Sequence, residues 1–187
     1  MTQSRDGWRQ KVFKSSLAKP LGCAVLLLVA ATGAQAQVST NRVAANTDWS
    51  VFVEDDPKEC WTVSAPKETV NSRDGKPVSV RRSDIRLFVT YRPGSTAGEV
   101  SFTGGYPFAP DSTVTLEVGG SKFELFTEGE WAWAASPEDD KAILEALKAG
   151  ASAKLTAHSS RGTQTEDTFS LLGLTAATDT ARERCAG

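Results

Sequence analysis

A hydrolase needs a nucleophile, a base and a group that orients the base. The sequence offers one stretch that could assemble them: His158, Ser159, Ser160 and Asp167, with His158 the only histidine of the chain. The surrounding residues read as strand, where neighbours point to opposite faces, so His158 and Ser159 would not meet side by side. No G-x-S-x-G elbow is present and nothing obvious supplies an oxyanion hole. His158 therefore reads as a solvated strand residue, and no catalytic residue is expected. Glu128 and Glu130 flank Gly129 and could form a glycosidase-like carboxylate pair. The plainer reading is a charged hairpin that discourages edge-to-edge aggregation. Adding Asp139 and Asp140 gives a conceivable calcium set, but the spacing is not that of an EF-hand loop. One histidine and no C-x-x-C leave zinc and thioredoxin-like chemistry without ligands. No metal and no cofactor are expected.

Three stretches could bind rather than react. "RRSDIR", residues 81–86, puts Arg82 and Arg86 on one strand parity, where an anionic ligand such as a surface glycan could dock; a solvated edge strand is the plainer reading. "GGYPFAP", residues 104–110, is uncharged and carries Tyr106; it is either an exposed partner site or a sheet corner plugging the core. In "FTEGEWAWAASPEDD", residues 126–140, Trp131 and Trp133 share one face of a strand and Ala132 and Ala134 take the other. A paired-tryptophan face running into an amphipathic helix predicts core, each ring removing about 150–250 Å² from water. The alternative is an exposed platform for sugar rings.

The elements that position these residues are mostly strands. Apolar residues recur with period two at Trp49, Val51 and Val53, at Ile85, Leu87, Val89 and Tyr91, at Val100 and Phe102, at Val114, Leu116 and Val118, and at Phe123 and Leu125. Such alternation marks half-buried strands. Gly119-Gly120 and Asp74-Gly75 are hairpin signals, and two further strands are expected over 153–160 and 163–172, joined near Arg161-Gly162. One helix interrupts the pattern at about 137–149: Ser136 suits the N-cap, Pro137 the first position, Asp139 completes the capping signal, and Ile143, Leu144 and Leu147 form an apolar face ending at Gly150. A short helical turn is expected over 175–185. The fold class is all-β, mainly antiparallel: a β-sandwich or flattened barrel with that one short helix.

The first 36 residues read as a cleavable secretory signal. Arg5, Arg9, Lys11, Lys14 and Lys19 are its basic part, "LGCAVLLLVAA" its apolar part, and Ala34-Gln35-Ala36 its cleavage site. The apolar run is shorter than the ~20 residues of an ordinary span, so no stable membrane span is expected after cleavage. Residues 37–47 read as a flexible leader and 48–187 as one domain. Removing 1–36 takes five of the 21 basic residues and one of the 23 acidic ones, moving the net charge from −2 to −6. That balance argues against a nucleic-acid partner. Two cysteines then remain, Cys60 and Cys185, and an even count in an exported chain predicts a disulfide.

Long ordered blocks carry a family resemblance. "ECWTVSAPKETVNSRDGKPVSVRRSDIRLFVTYRPG" (59–94), "GGYPFAPDSTVTLEVGGSKFELFTEGEWAWAASPEDD" (104–140) and "SSRGTQTEDTFSLLGLTAA" (159–177) resemble the invasion-associated locus B (IalB) family of alphaproteobacterial exported proteins. The resemblance implies a periplasmic, outer-envelope or secreted protein of Gram-negative bacteria, and brings no catalytic residues with it. The expected function is a non-enzymatic binding or envelope-organising module whose partner is an envelope protein or a glycan. Trp131, Trp133, Tyr106, Arg82 and Arg86 are the candidate ligand contacts. A carbohydrate or peptidoglycan binder is the second reading, favoured if the aromatics prove exposed. A hydrolase is the third.

Overall fold

The computed structural model describes residues 41–186. The expected signal, 1–36, lies outside the described residues. The strands are β1 (Arg42–Asn46), β2 (Trp49–Asp55), β3 (Lys58–Ser64), β4 (Glu68–Arg73), β5 (Lys76–Pro77), β6 (Arg86–Tyr91), β7 (Glu99–Thr103), β8 (Thr113–Val118), β9 (Ser121–Glu128), β10 (Trp131–Trp133), β11 (Ser152–His158) and β12 (Gln164–Ser170). The helices are α1 (Pro137–Ala149) and α2 (Leu174–Ala186).

All twelve strands join one open antiparallel sheet in the order β1-β2-β3-β6-β7-β10-β9-β8-β11-β12-β4-β5. The sheet bends on itself, so strands far apart in this order meet. Asp48 N–H donates to Leu172 O at 3.3 Å, Trp49 Nε1 donates to Ser170 O at 3.0 Å, and the rings of Phe102 on β7 and Phe169 on β12 meet edge to face at 6.2 Å. The all-β expectation holds, in a form closer to an unclosed, flattened barrel than to two packed sheets. Period-two alternation explains the interior: Trp49, Val51, Leu87, Val89, Val100, Phe102, Leu116, Leu125 and Leu155 are all fully buried on the inward parity. At Gly119-Gly120 both residues have positive φ, the geometry a two-residue β8–β9 hairpin demands of glycine.

The helix at 137–149 forms as expected. Ser136 Oγ accepts from Asp139 N–H, and Ile143 and Leu147 are its buried residues. The C-terminal element is longer than the expected helical turn. Leu174, Ala177, Thr178, Ala181 and Cys185 repeat at helical spacing and are buried, and their small side chains let α2 lie close against β2 and β3. Cys60 on β3 and Cys185 on α2 are disulfide-bonded, Cα to Cα 5.6 Å. The bridge thus fixes this helix to the inner face of the sheet. Closing a chain segment of 125 residues contributes about 5 kcal/mol in the chain-entropy account.

Two expectations need correction. Part of the leader is ordered: Arg42–Asn46 forms edge strand β1, with Asn46 opposite Trp49 and Ala45 opposite Ser50. Residues 81–86, read as an edge strand, do not form one: 81–85 have no regular structure, and only from Arg86 does the chain enter the sheet.

Candidate functional site

The tryptophan pair does not enter the core. β10 lies between β7 and β9, and Ala132 stands opposite Phe102 in register. Phe102 is fully buried and its ring also meets Phe108, and Ala132 is the small, fully buried residue that β10 turns toward this packed interior. Trp131 and Trp133 are driven to the outer face, where Trp131 is 39% exposed and Trp133 half-buried.

On that face they belong to a continuous aromatic strip. Phe126 of β9 lies 5.5 Å from Trp133 with ring planes 29° apart; Trp133 lies 6.3 Å from Trp131 at 21°; Trp131 lies 5.6 Å from Phe88 of β6 at 42°. The strip crosses β7, whose outward Ser101 and Thr103 are both buried. Ser101 pairs with Phe88 on one side and Trp133 on the other, so small residues at this crossing let the large rings lean over them. A second outer pair, Phe52 and Trp61, stacks at 5.7 Å directly across β2 and β3.

The rim of the strip is acidic. A groove of about 450 Å³ runs beside Trp133 and Phe126 and is lined by Glu99, Glu128, Ser136 and Asp140, with no basic residue in its wall among the described residues. Glu99 is paired with Arg92 at 2.7 Å. Asp140 accepts from Val100 N–H at 2.7 Å, tying α1 to β7. Burial pushes the Asp140 carboxyl above the ordinary carboxylate range; the Val100 bond pulls it down, and the nearby Glu99 and Asp139 charges add to the rise.

The five candidate contacts separate into two places. Trp131 and Trp133 form the outer strip, and Arg86 is in register with Thr103, which pairs in turn with Trp131. Arg86 is ion-paired to Asp84 at 3.4 Å. Tyr106 and Arg82 are elsewhere, where the β5–β6 and β7–β8 connections meet the β11–β12 turn. Arg82 is not a solvated strand residue. Its guanidinium grips Asp167 with two bonds of 2.8 and 2.6 Å, donates through Nε to Gly104 O at 2.8 Å, and lies 5.0 Å over the Tyr106 ring. The pair is buried, with side-chain exposures of 6% and 0%. Burial pushes Asp167 up, and Arg82 opposes that shift. The Tyr106 hydroxyl shares a 2.5 Å bond with Thr165 Oγ1, and burial raises its pKa too. The "GGYPFAP" stretch is the corner that plugs the core, since Phe108 is buried in it.

Of the residues weighed for hydrolysis, Ser159 and Asp167 have other partners. His158 is exposed, while the Ser159 hydroxyl oxygen accepts from the N–H groups of Arg161 and Thr163 and shapes the turn between β11 and β12. Asp167 is held by Arg82. Among the described residues no group of three or more His, Cys, Asp or Glu is placed to hold a metal, and no helix is long and apolar enough to cross a membrane.

Sequence reasoning missed Phe88 and Phe126 as members of the strip. The signal was present: Phe52, Trp61 and Phe88 all occupy the parity that alternation assigns to water, where an isolated apolar residue is ordinary but a series of aromatics is not.

Comparison with known proteins agrees with this architecture. Residues 49–182 match the family model described as invasion associated locus B (IalB) protein. The crystal structure of invasion associated protein B from Bartonella henselae is similar, with a TM-score of 0.51 and 18% identity over 74% of this chain and 94% of that one. At that identity the likeness bears on the fold alone. No curated protein matches the chain in sequence.

Proposed function

Because this chain belongs to the invasion associated locus B family, we propose that it is a non-enzymatic binding module of the cell envelope whose outer aromatic strip holds a neutral glycan. The observation that carries this reading is the row Phe126–Trp133–Trp131–Phe88, four rings in contact on the outer face of the sheet. Aromatic rings offer large apolar area with little conformational entropy to lose, and they match the apolar faces of sugar rings. The acidic groove alongside supplies acceptors for sugar hydroxyls through Glu128, Asp140 and the Ser136 hydroxyl. The same carboxylates repel anionic chains, which favours neutral oligosaccharides over peptidoglycan strands bearing free carboxylates.

An extracytoplasmic location supports the reading. A disulfide persists in the periplasm or outside the cell and is rare in the reducing cytosol, and the Cys60–Cys185 bridge fixes a whole helix here. The family's name points to a host-cell surface as one place where such a glycan would be met.

The test is a glycan array probed with the purified protein, alongside co-sedimentation with purified peptidoglycan sacculi. Retention of neutral oligosaccharides, with weaker capture by sacculi, is the expected result. Capture of an envelope protein with no retained glycan would replace the glycan reading by an envelope-organising one.

A further inference from the structure

A second concave site lies away from the aromatic strip, and its chemistry is opposite. A cleft of about 480 Å³ opens where the β4 end, the β5–β6 connection, the "GGYPFAP" corner and the β11–β12 turn converge, and four arginines line it: Arg73, Arg81, Arg82 and Arg161. Among the described residues no aspartate or glutamate lines it. Arg82 is neutralised by Asp167. Arg73, Arg81 and Arg161 are exposed and have no carboxylate partner among the described residues; Arg73 instead donates to Thr163 Oγ1 at 2.9 Å. Three uncompensated guanidinium groups thus face one cleft in a chain whose net charge is −2. Like charges gathered in this way repel one another, and an anionic occupant removes that repulsion.

The walls are held in place before any ligand arrives. The segment carrying Arg81 and Arg82 is pinned to the corner loop by Ser83 N–H and Ser83 Oγ, both donating to Gly105 O at 3.0 and 3.1 Å, and by the Arg82 bond to Gly104 O. Gly105 has φ of +72°, and a Cβ there would stand 2.7 Å from Ser83 O, so only glycine permits this approach. Arg161 is set by the Ser159-centred turn, and Ser160 N–H is anchored to Pro107 O at 2.9 Å.

We propose that this cleft binds a phosphomonoester. Guanidinium forks match the geometry of phosphate oxygens and bind them through paired hydrogen bonds. A phosphomonoester carries about −1.5 to −2 at neutral pH and offers three acceptor oxygens, which suits three unpaired arginines. A single carboxylate would leave most of their charge unanswered. Tyr106, Pro107 and Val80 give the cleft an apolar side against which the body of the ester rests, so the ester binds more tightly than inorganic phosphate. The phosphate could be presented on a soluble sugar or on a lipid headgroup.

The test is isothermal titration of the purified protein with glucose 6-phosphate, glucose, inorganic phosphate and glucuronate, together with sedimentation on phosphatidylcholine vesicles with and without phosphatidic acid. Saturable binding of glucose 6-phosphate, tighter than phosphate and absent for glucose, is expected; capture by phosphatidic acid vesicles alone would assign the phosphate to a lipid. In either arm Arg81→Gln and Arg161→Gln, both exposed and without a side-chain bond among the described residues, should weaken binding at least tenfold with melting unchanged, and added salt should weaken it further. Binding that survives both substitutions, glucuronate binding as tight as that of glucose 6-phosphate, or no binding in either arm would overturn the proposal.

Discussion

Trp131 and Trp133 stand 6.3 Å apart, ring centroid to ring centroid, on the outer face of β10, while Ala132 between them is fully buried. The small residue faces the core and the large ones face water, the reverse of ordinary burial preference. Phe102 opposite Ala132 explains the inward side. On the outward side the rings contact Phe88 and Phe126 and cover the small residues of β7, so they form a surface rather than scattered exposure.

The first prediction follows from that inversion. Trp49→Ala removes a fully buried ring whose Nε1 donates to Ser170 O, and should destabilise by about 3–5 kcal/mol. Trp131→Ala should lower stability by much less, since its ring is already partly in water. Chemical denaturation of the two variants beside wild type measures the contrast, and equal losses would return Trp131 to a core role.

The disulfide gives the second. Labelling of denatured, unreduced protein should find Cys60 and Cys185 unreactive. Cys60→Ser/Cys185→Ser should lose about 2–5 kcal/mol and show earliest hydrogen exchange in α2, the helix that the bridge holds on β3. Uniform exchange across the sheet and α2 would mean that the helix is held without the bridge.

Arg82 and Asp167 give the third. Removing one partner leaves a buried charge unanswered, so Asp167→Ala should destabilise by about 3–5 kcal/mol. Arg82→Met/Asp167→Leu should destabilise by less than the sum of its single changes, because no lone charge remains. Additive losses in a double-mutant cycle would show that the two side chains act independently.

A fourth prediction concerns pH. The Asp140 carboxyl has its pKa raised in the fold, chiefly by burial. The folded state therefore takes up this proton more readily than the unfolded chain, and the group's favourable contribution is present at low pH and lost as pH rises through the folded pKa. Asp140→Asn retains an acceptor for Val100 N–H and never ionises. The variant should melt above wild type at pH 7, with the gap closing as pH falls toward the ordinary carboxylate value of 3.8. A gap that widens on acidification would reverse the assignment.

Much of the fold was legible because it rests on local rules. Period-two runs such as Val114, Leu116 and Val118 marked strands, and Ser136-Pro137 marked the start of α1. The length of α2 was harder to read: its buried face is made of alanines, a threonine and a cysteine, which carry little hydropathy signal. The candidate site was legible in its residues but not in its geometry. Parity shows that Trp131 and Trp133 share a face, but the face itself depends on Phe102, which arrives from a strand some thirty residues earlier. Arg82 was misread for the same reason: its partner Asp167 lies 85 positions away. The arginine cleft draws Arg73 from the end of β4, Arg81 from the β5–β6 connection and Arg161 from the β11–β12 turn, and nothing in their spacing links them.

The central claim is that the aromatic strip is a glycan platform, and the most direct measurement is a titration. The neutral oligosaccharide best retained on the array is titrated into wild type, Trp131→Ala and Trp133→Ala, with thermal melts run in parallel. The account predicts saturable binding by wild type and at least a tenfold loss in each variant, with melting close to wild type for Trp131→Ala. No saturable binding to any neutral oligosaccharide, or undiminished binding by both variants, would contradict it.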